Sequence, residues 1–125
     1  MTDESIPADL REFILRYIDS VAHLEALLLL RANADTHWDT ATVARRLYTT
    51  EQQAAEVLTQ LCADGLLTCE SDRYRYAKQS AENLATIDKL AAFYTKQLIP
   101  ITNMIHGKPR RIRQFADAFK FRKGR

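Results

Sequence analysis

The stretch TTEQQAAEVLTQLCADGLL, Thr49 to Leu67, decides the fold. Ala54, Val57, Leu58 and Leu61 recur at i, i+3, i+4 and i+7, which predicts an amphipathic helix over Glu51 to Ala63 with one buried face. Asp64-Gly65 ends it, with glycine where a left-handed C-terminal cap is wanted. The periodicity then changes. Leu66 to Glu70 reads as a strand, Ser71-Asp72-Arg73 as a polar turn, and Tyr74-Arg75-Tyr76-Ala77 alternates aromatic with polar, so a hairpin follows the helix.

Upstream, Tyr48-Thr49-Thr50 is a turn, preceded by a helix over Ala41 to Leu47 capped by Asp39 or Thr40. Thr36-His37-Trp38 reads as a very short strand, and Asn33-Ala34-Asp35 as a loop. Val21 to Ala32 (VAHLEALLLLRA) is apolar on nearly every side, which predicts a helix buried at the centre of the domain. Ser5-Ile6-Pro7 reads as the start of an N-terminal helix. Its stripe is Leu10, Phe13, Ile14, Tyr17, Ile18 and Val21, and Asp19-Ser20 is a candidate restart. Downstream, Ser80 or a neighbour opens a long helix through Leu84, Ile87, Leu90, Ala91, Tyr94 and Leu98. Pro100 is expected to kink or break it, with Ile101 to Ile105 continuing and Gly107-Lys108-Pro109 as its end. A last short helix, Arg110 to Phe121, carries Ile112, Phe115, Ala116 and Phe119 on one face.

Helix, short strand, helix, turn, helix, glycine, hairpin is the winged-helix order. Thr49 to Leu67 resembles the recognition helix and following strand of MarR-like and related winged helix-turn-helix regulators, which place apolar residues four, seven and eight before the glycine, here Leu61, Leu58 and Val57. The resemblance covers residues 20–77. It implies a mainly α fold with a small β-hairpin wing, a winged helix-turn-helix with extra N- and C-terminal helices. The expected organisation is an N-terminal helix (1–19), the winged domain (20–78), a long C-terminal helix for dimerisation (79–106) and a basic amphipathic tail (107–125).

The function it implies is a DNA-binding transcriptional regulator on double-stranded DNA; the apolar stripes of Leu10 to Val21 and Leu84 to Leu98 point to a homodimer, and the cysteine usage to a reducing cytoplasm. The third helix would enter the major groove. It would offer Gln52, Gln53, Ala55, Glu56, Thr59 and Gln60, since glutamine pairs with adenine edges and glutamate accepts from cytosine. The sequence departs from the family here, because the family often has a basic residue where Glu56 stands and this helix has none. Phosphate contacts would therefore fall to Arg45, Arg46, Arg73, Arg75 and Lys78, and to Arg110, Arg111 and Arg113 of the tail. The alternative is a winged helix that binds protein through its acidic third helix, with the basic tail for an acidic partner and Phe115 and Phe119 as docking side chains.

Charge supports an anionic partner. The net charge is +2 over 125 residues, but residues 107–125 hold eight basic side chains and one acidic one, and the rest of the chain is net acidic. No apolar run is long enough to span a bilayer, and the acidic N-terminus has no signal-like apolar segment. His23, His37 and His106 lack metal-ligand spacing, and His23 is expected to be a satisfied core residue. Three glycines build no phosphate-cradling loop, so neither a cofactor nor catalysis is expected. Cys62 and Cys69 form no CxxC pair, and a disulfide between them is not expected. The sequence places no effector pocket.

Overall fold

A computed structural model describes residues 6–107. Ser5 and the tail, with Arg110, Arg111, Arg113, Phe115 and Phe119, lie outside the described residues. The order is α1 (Ala8–Tyr17), α2 (Val21–Ala32), α3 (Thr40–Leu47), α4 (Glu51–Ala63), β1 (Leu67–Glu70), β2 (Arg73–Tyr76), α5 (Ala81–Lys96) and α6 (Leu98–Gly107). The described chain is thus mainly helical, with one antiparallel two-stranded hairpin.

Short polar side chains set where four of the helices begin. Ser20 accepts from the His23 backbone N–H, Asp39 from Thr42, Thr50 from Gln53 and Ser80 from Asn83, each satisfying a donor that the first helical turn leaves open. The Ser20 cap divides the N-terminal stripe. α1 stops at Tyr17, Ile18 turns extended, and Val21 starts α2 instead of ending α1.

α2 is the centre of the molecule, as its all-round apolarity predicts. Leu24, Ala26, Leu27 and Leu30 are buried, and the helix packs on α3, α4, β2 and α6. Ala54, Val57, Leu58 and Leu61 of α4 close over it. Gly65 (φ +81°) then reverses the chain, and Leu66 and Leu67 bury behind it. β1 pairs with β2 in the register Leu67↔Tyr76, Thr68↔Arg75, Cys69↔Tyr74 and Glu70↔Arg73. The turn is therefore two residues, Ser71 and Asp72, and Arg73 belongs to β2. The short strand expected at Thr36 to Trp38 contracts to Trp38, whose N–H and C=O each bond to Tyr74 at 2.8 Å.

The structure overturns one expectation about the cysteines. Cys62 and Cys69 are joined by a disulfide. Cys62 sits in the last turn of α4 and Cys69 on β1. The Gly65 reversal folds the strand back along the helix, bringing their Cα atoms to 6.2 Å, inside the range a disulfide bridges. Spacing along the sequence carries no hint of this, because the seven intervening steps include a reversal of direction.

The long C-terminal helix is two helices. The break falls at Gln97, and Pro100 occupies the first turn of α6, where its missing N–H leaves no bond unmade. Ile87 and Leu90 of α5 are buried. Three polar contacts fasten α5 to its own domain: Arg31 to Asp88 at 2.9 Å, Lys89 to Asp9 at 3.0 Å, and the Tyr94 hydroxyl donating to Glu25 at 3.1 Å. Leu10, Phe13, Ile14 and Ile18 are likewise buried within the chain. Most of the two apolar stripes thus packs within the chain, α1 against α5, while Leu98 at the end of the second stays exposed. Among the described residues, no helix is long and apolar enough to cross a membrane.

Candidate nucleic-acid interface

The predicted contact residues lie on α3, α4 and the hairpin, and Trp38 joins the first of these to the last. Its bridge to Tyr74 fastens the loop before α3 to the hairpin, and its side chain is 6% exposed. The Arg46 guanidinium lies 5.4 Å from the centre of its ring, a cation–π distance. The next residue, Asp39, caps α3. Its carboxyl is held below the usual range first by the Thr42 hydroxyl, then by the Thr42 N–H, with the charges of Arg45 and Arg73 adding to the effect. Arg45, Arg46 and Arg73 are all exposed.

The remaining predicted residues divide. Lys78 is exposed just beyond the hairpin. Arg75 is half-buried, and its Nε is shut away from solvent without a partner, so it offers less charge outward than Arg73. The alternation of β2 explains the pair: Tyr74 and Tyr76 pack on the core, and Arg73 and Arg75 take the opposite face, across from Glu70 and Thr68. On α4, Gln52, Gln53, Glu56 and Thr59 are exposed, and Gln60 and Ala55 are half-buried. The Thr49 hydroxyl donates to the Gln53 side-chain oxygen at 2.6 Å, which fixes that amide beside the start of the helix. Glu51 and Glu56 are the charged side chains of α4.

Two residues here lie beyond what the sequence alone conveys. Trp38 reads as part of a strand, whereas in the fold it joins the loop before α3 to the hairpin. Tyr48 reads as a turn residue, yet it has φ +57° and is 96% exposed. A signal for Tyr48 exists, since it stands at a helix end where glycine is the common residue.

Among the described residues no cluster of three His, Cys, Asp or Glu side chains is placed to hold a metal. His23 is not a core residue: it is half-buried at the start of α2, its Nδ1 2.8 Å from the Ser20 hydroxyl. A cleft of about 440 Å³ lies between the flanking helices, lined by Asp9, Glu12, Phe13 and Tyr17 of α1 and by Glu82 and Asn83 of α5. No family profile, curated protein or solved structure matches the chain.

Proposed function

We propose that this protein is a winged helix-turn-helix regulator that binds double-stranded DNA in the cytoplasm, without catalysis or cofactor. In this reading α3 and α4 are the helix-turn-helix, α4 enters the major groove, and β1–β2 is the wing. The observation that carries it is the Trp38–Tyr74 bridge, which fastens the loop before α3 to the hairpin and so ties the element carrying Arg45 and Arg46, with Arg46 on the Trp38 ring, to the one carrying Arg73, all three exposed. Phosphates on either side of a groove would meet these arginines while Gln52, Gln53 and Thr59 face the bases. The tail arginines Arg110, Arg111 and Arg113 add to the same electrostatics. A homodimer would present two copies of α4 about one DNA turn apart. Its contact surface would have to include Leu98 and Ile99, the apolar pair left exposed where α5 meets α6.

One observation favours a second reading. α4 has no basic residue and carries Glu51 and Glu56, so its outward face suits a protein partner as well as a groove. Fluorescence anisotropy with a mixed-sequence duplex, across a salt series, separates the two. DNA binding predicts measurable affinity at low salt and a steep fall of log K with log salt. Replacing Arg45, Arg46 and Arg73 together by alanine flattens the slope by about 0.9 for each phosphate that the variant no longer neutralises. A chain ending at His106 isolates the share of the tail. Absence of binding at low salt by the full-length protein removes the DNA reading and leaves the acidic helix as a protein-docking face.

A further inference from the structure

Two helices of this protein end in the same backbone motif. At the end of α4, Gly65 is left-handed (φ +81°), its N–H donates to the Cys62 carbonyl at 3.0 Å, and the Leu66 N–H donates to the Leu61 carbonyl at 3.0 Å. At the end of α3, Tyr48 is left-handed (φ +57°, ψ +49°), its N–H donates to the Arg45 carbonyl at 3.3 Å, and the Thr49 N–H donates to the Ala44 carbonyl at 3.0 Å. The hydrogen-bond pattern is the same Schellman cap, with glycine at the left-handed position in one case and tyrosine in the other.

Tyrosine is a poor choice for that cap. A left-handed backbone crowds any Cβ, and bulky side chains are rare there. Neither cap hydrogen bond involves the side chain, so the motif gains nothing from the ring. Packing does not compensate either. Tyr48 is 96% exposed, against 47%, 51% and 66% for the other exposed large apolar side chains, Leu15, Leu98 and Ile99. Glycine would serve the fold better. A strained residue whose side chain stands wholly in solvent points to a contact made outside the molecule.

Its surroundings indicate what that contact is. Arg45 and Arg46, both exposed, closely precede it on the last turn of α3. α4 begins three residues later, with Thr50 as its cap, and the N-terminal end of a 13-residue helix carries partial positive charge. A wholly exposed aromatic hydroxyl in the short turn that links two exposed arginines to a helix N-terminus suits an anionic, sugar-bearing backbone. Resting on the reading above, we infer that Tyr48 is a contact residue for the backbone of duplex DNA. Its hydroxyl donates to a phosphate oxygen, its ring packs on the adjoining deoxyribose, and together they set the depth and register of α4 in the groove.

The test pairs stability with affinity in the full-length protein, using Tyr48→Gly, Tyr48→Phe and Arg45→Ala. Thermal melts are read beside anisotropy with a mixed-sequence duplex at several salt concentrations. Tyr48→Gly is expected to melt higher than wild type and yet bind DNA about fivefold to tenfold more weakly, the loss of one hydrogen bond with its packing. Tyr48→Phe loses part of that affinity. Because tyrosine is neutral, neither variant changes the slope of log K against log salt, whereas Arg45→Ala lowers it by about 0.9. A Tyr48→Gly protein that binds within about twofold of wild type overturns the inference, since one lost hydrogen bond should exceed that. A variant that melts lower also overturns it, because the ring would then serve the fold. If wild type does not bind duplex DNA at all, the regulator reading fails and this inference with it. Wild-type binding with an unaffected Tyr48→Gly sinks only the role of Tyr48.

Discussion

Thr50 and Asp39 each hold the first turn of a helix with one side-chain oxygen. Thr50→Ala leaves the Gln53 N–H without that acceptor and is expected to cost about 1 kcal/mol, read as a lower urea midpoint at unchanged m-value. Asp39 adds a pH dependence. Its folded pKa is lowered from 3.8, by Thr42 first and then by Arg45 and Arg73. A lowered folded value means its stabilising contribution is fully present above pH 3.8 and is lost as the pH falls through the folded value. Melting temperature is therefore expected to drop more steeply below that pH in wild type than in Asp39→Asn, which keeps a capping oxygen without a titrating charge. Identical acid profiles would show that the capping carboxylate is not coupled to its cations. Some residue roles are legible in the sequence: Gly65 and Ser20 follow from local chain geometry alone, whereas Thr50 reads only as a turn residue. The role of Tyr48 is only signalled by its place at a helix end, because its strain is visible only once its backbone angles and exposure are known.

Among the elements, α2 is the one the others are built on. Leu27 is fully buried in its middle, and Leu27→Ala is expected to cost about 2–5 kcal/mol by chemical denaturation, with the spread set by how far α3, α4 and α6 close over the cavity. The joint between α4 and the hairpin is doubled: Leu66 and Leu67 bury apolar surface, and the Cys62–Cys69 bond closes a covalent ring across the same reversal. Reduction, or Cys62→Ser, is expected to lower stability by about 2 kcal/mol, consistent with a short closed loop, and calorimetry with and without reductant measures it. An unchanged melt would show that the apolar packing holds the joint alone. In the reducing cytoplasm of the proposed reading the pair would stand as thiols, so the melt with reductant gives the stability that applies there. The cysteine pair escapes a sequence reading because a disulfide is decided by distance in space. The hairpin is legible because alternation and turn chemistry are local, whereas the two-residue turn and the Trp38 bridge depend on register with a distant segment.

For the whole molecule, association depends on what surface remains after α1 and α5 have covered their stripes. Leu98 and Ile99 stay exposed at the α5–α6 corner. If the protein is a dimer through that corner, light scattering gives twice the 14.4 kDa chain mass, and Leu98→Glu with Ile99→Glu gives the monomer. A wild type that is already monomeric removes the dimer from the proposal. Periodicity, capping residues and the Gly65 stop determined by themselves that this chain makes a central apolar helix, two shorter helices and a hairpin. Those signals act within one or two helical turns, so a linear reading reaches them. Only the tertiary structure decided that the flanking helices pack on their own core, that Trp38 ties the loop before α3 to the hairpin, and that Cys62 meets Cys69. Each of these depends on contacts between residues far apart in the chain or across a reversal of its direction, and which solvent-facing groups end up together is set by how the buried faces pack.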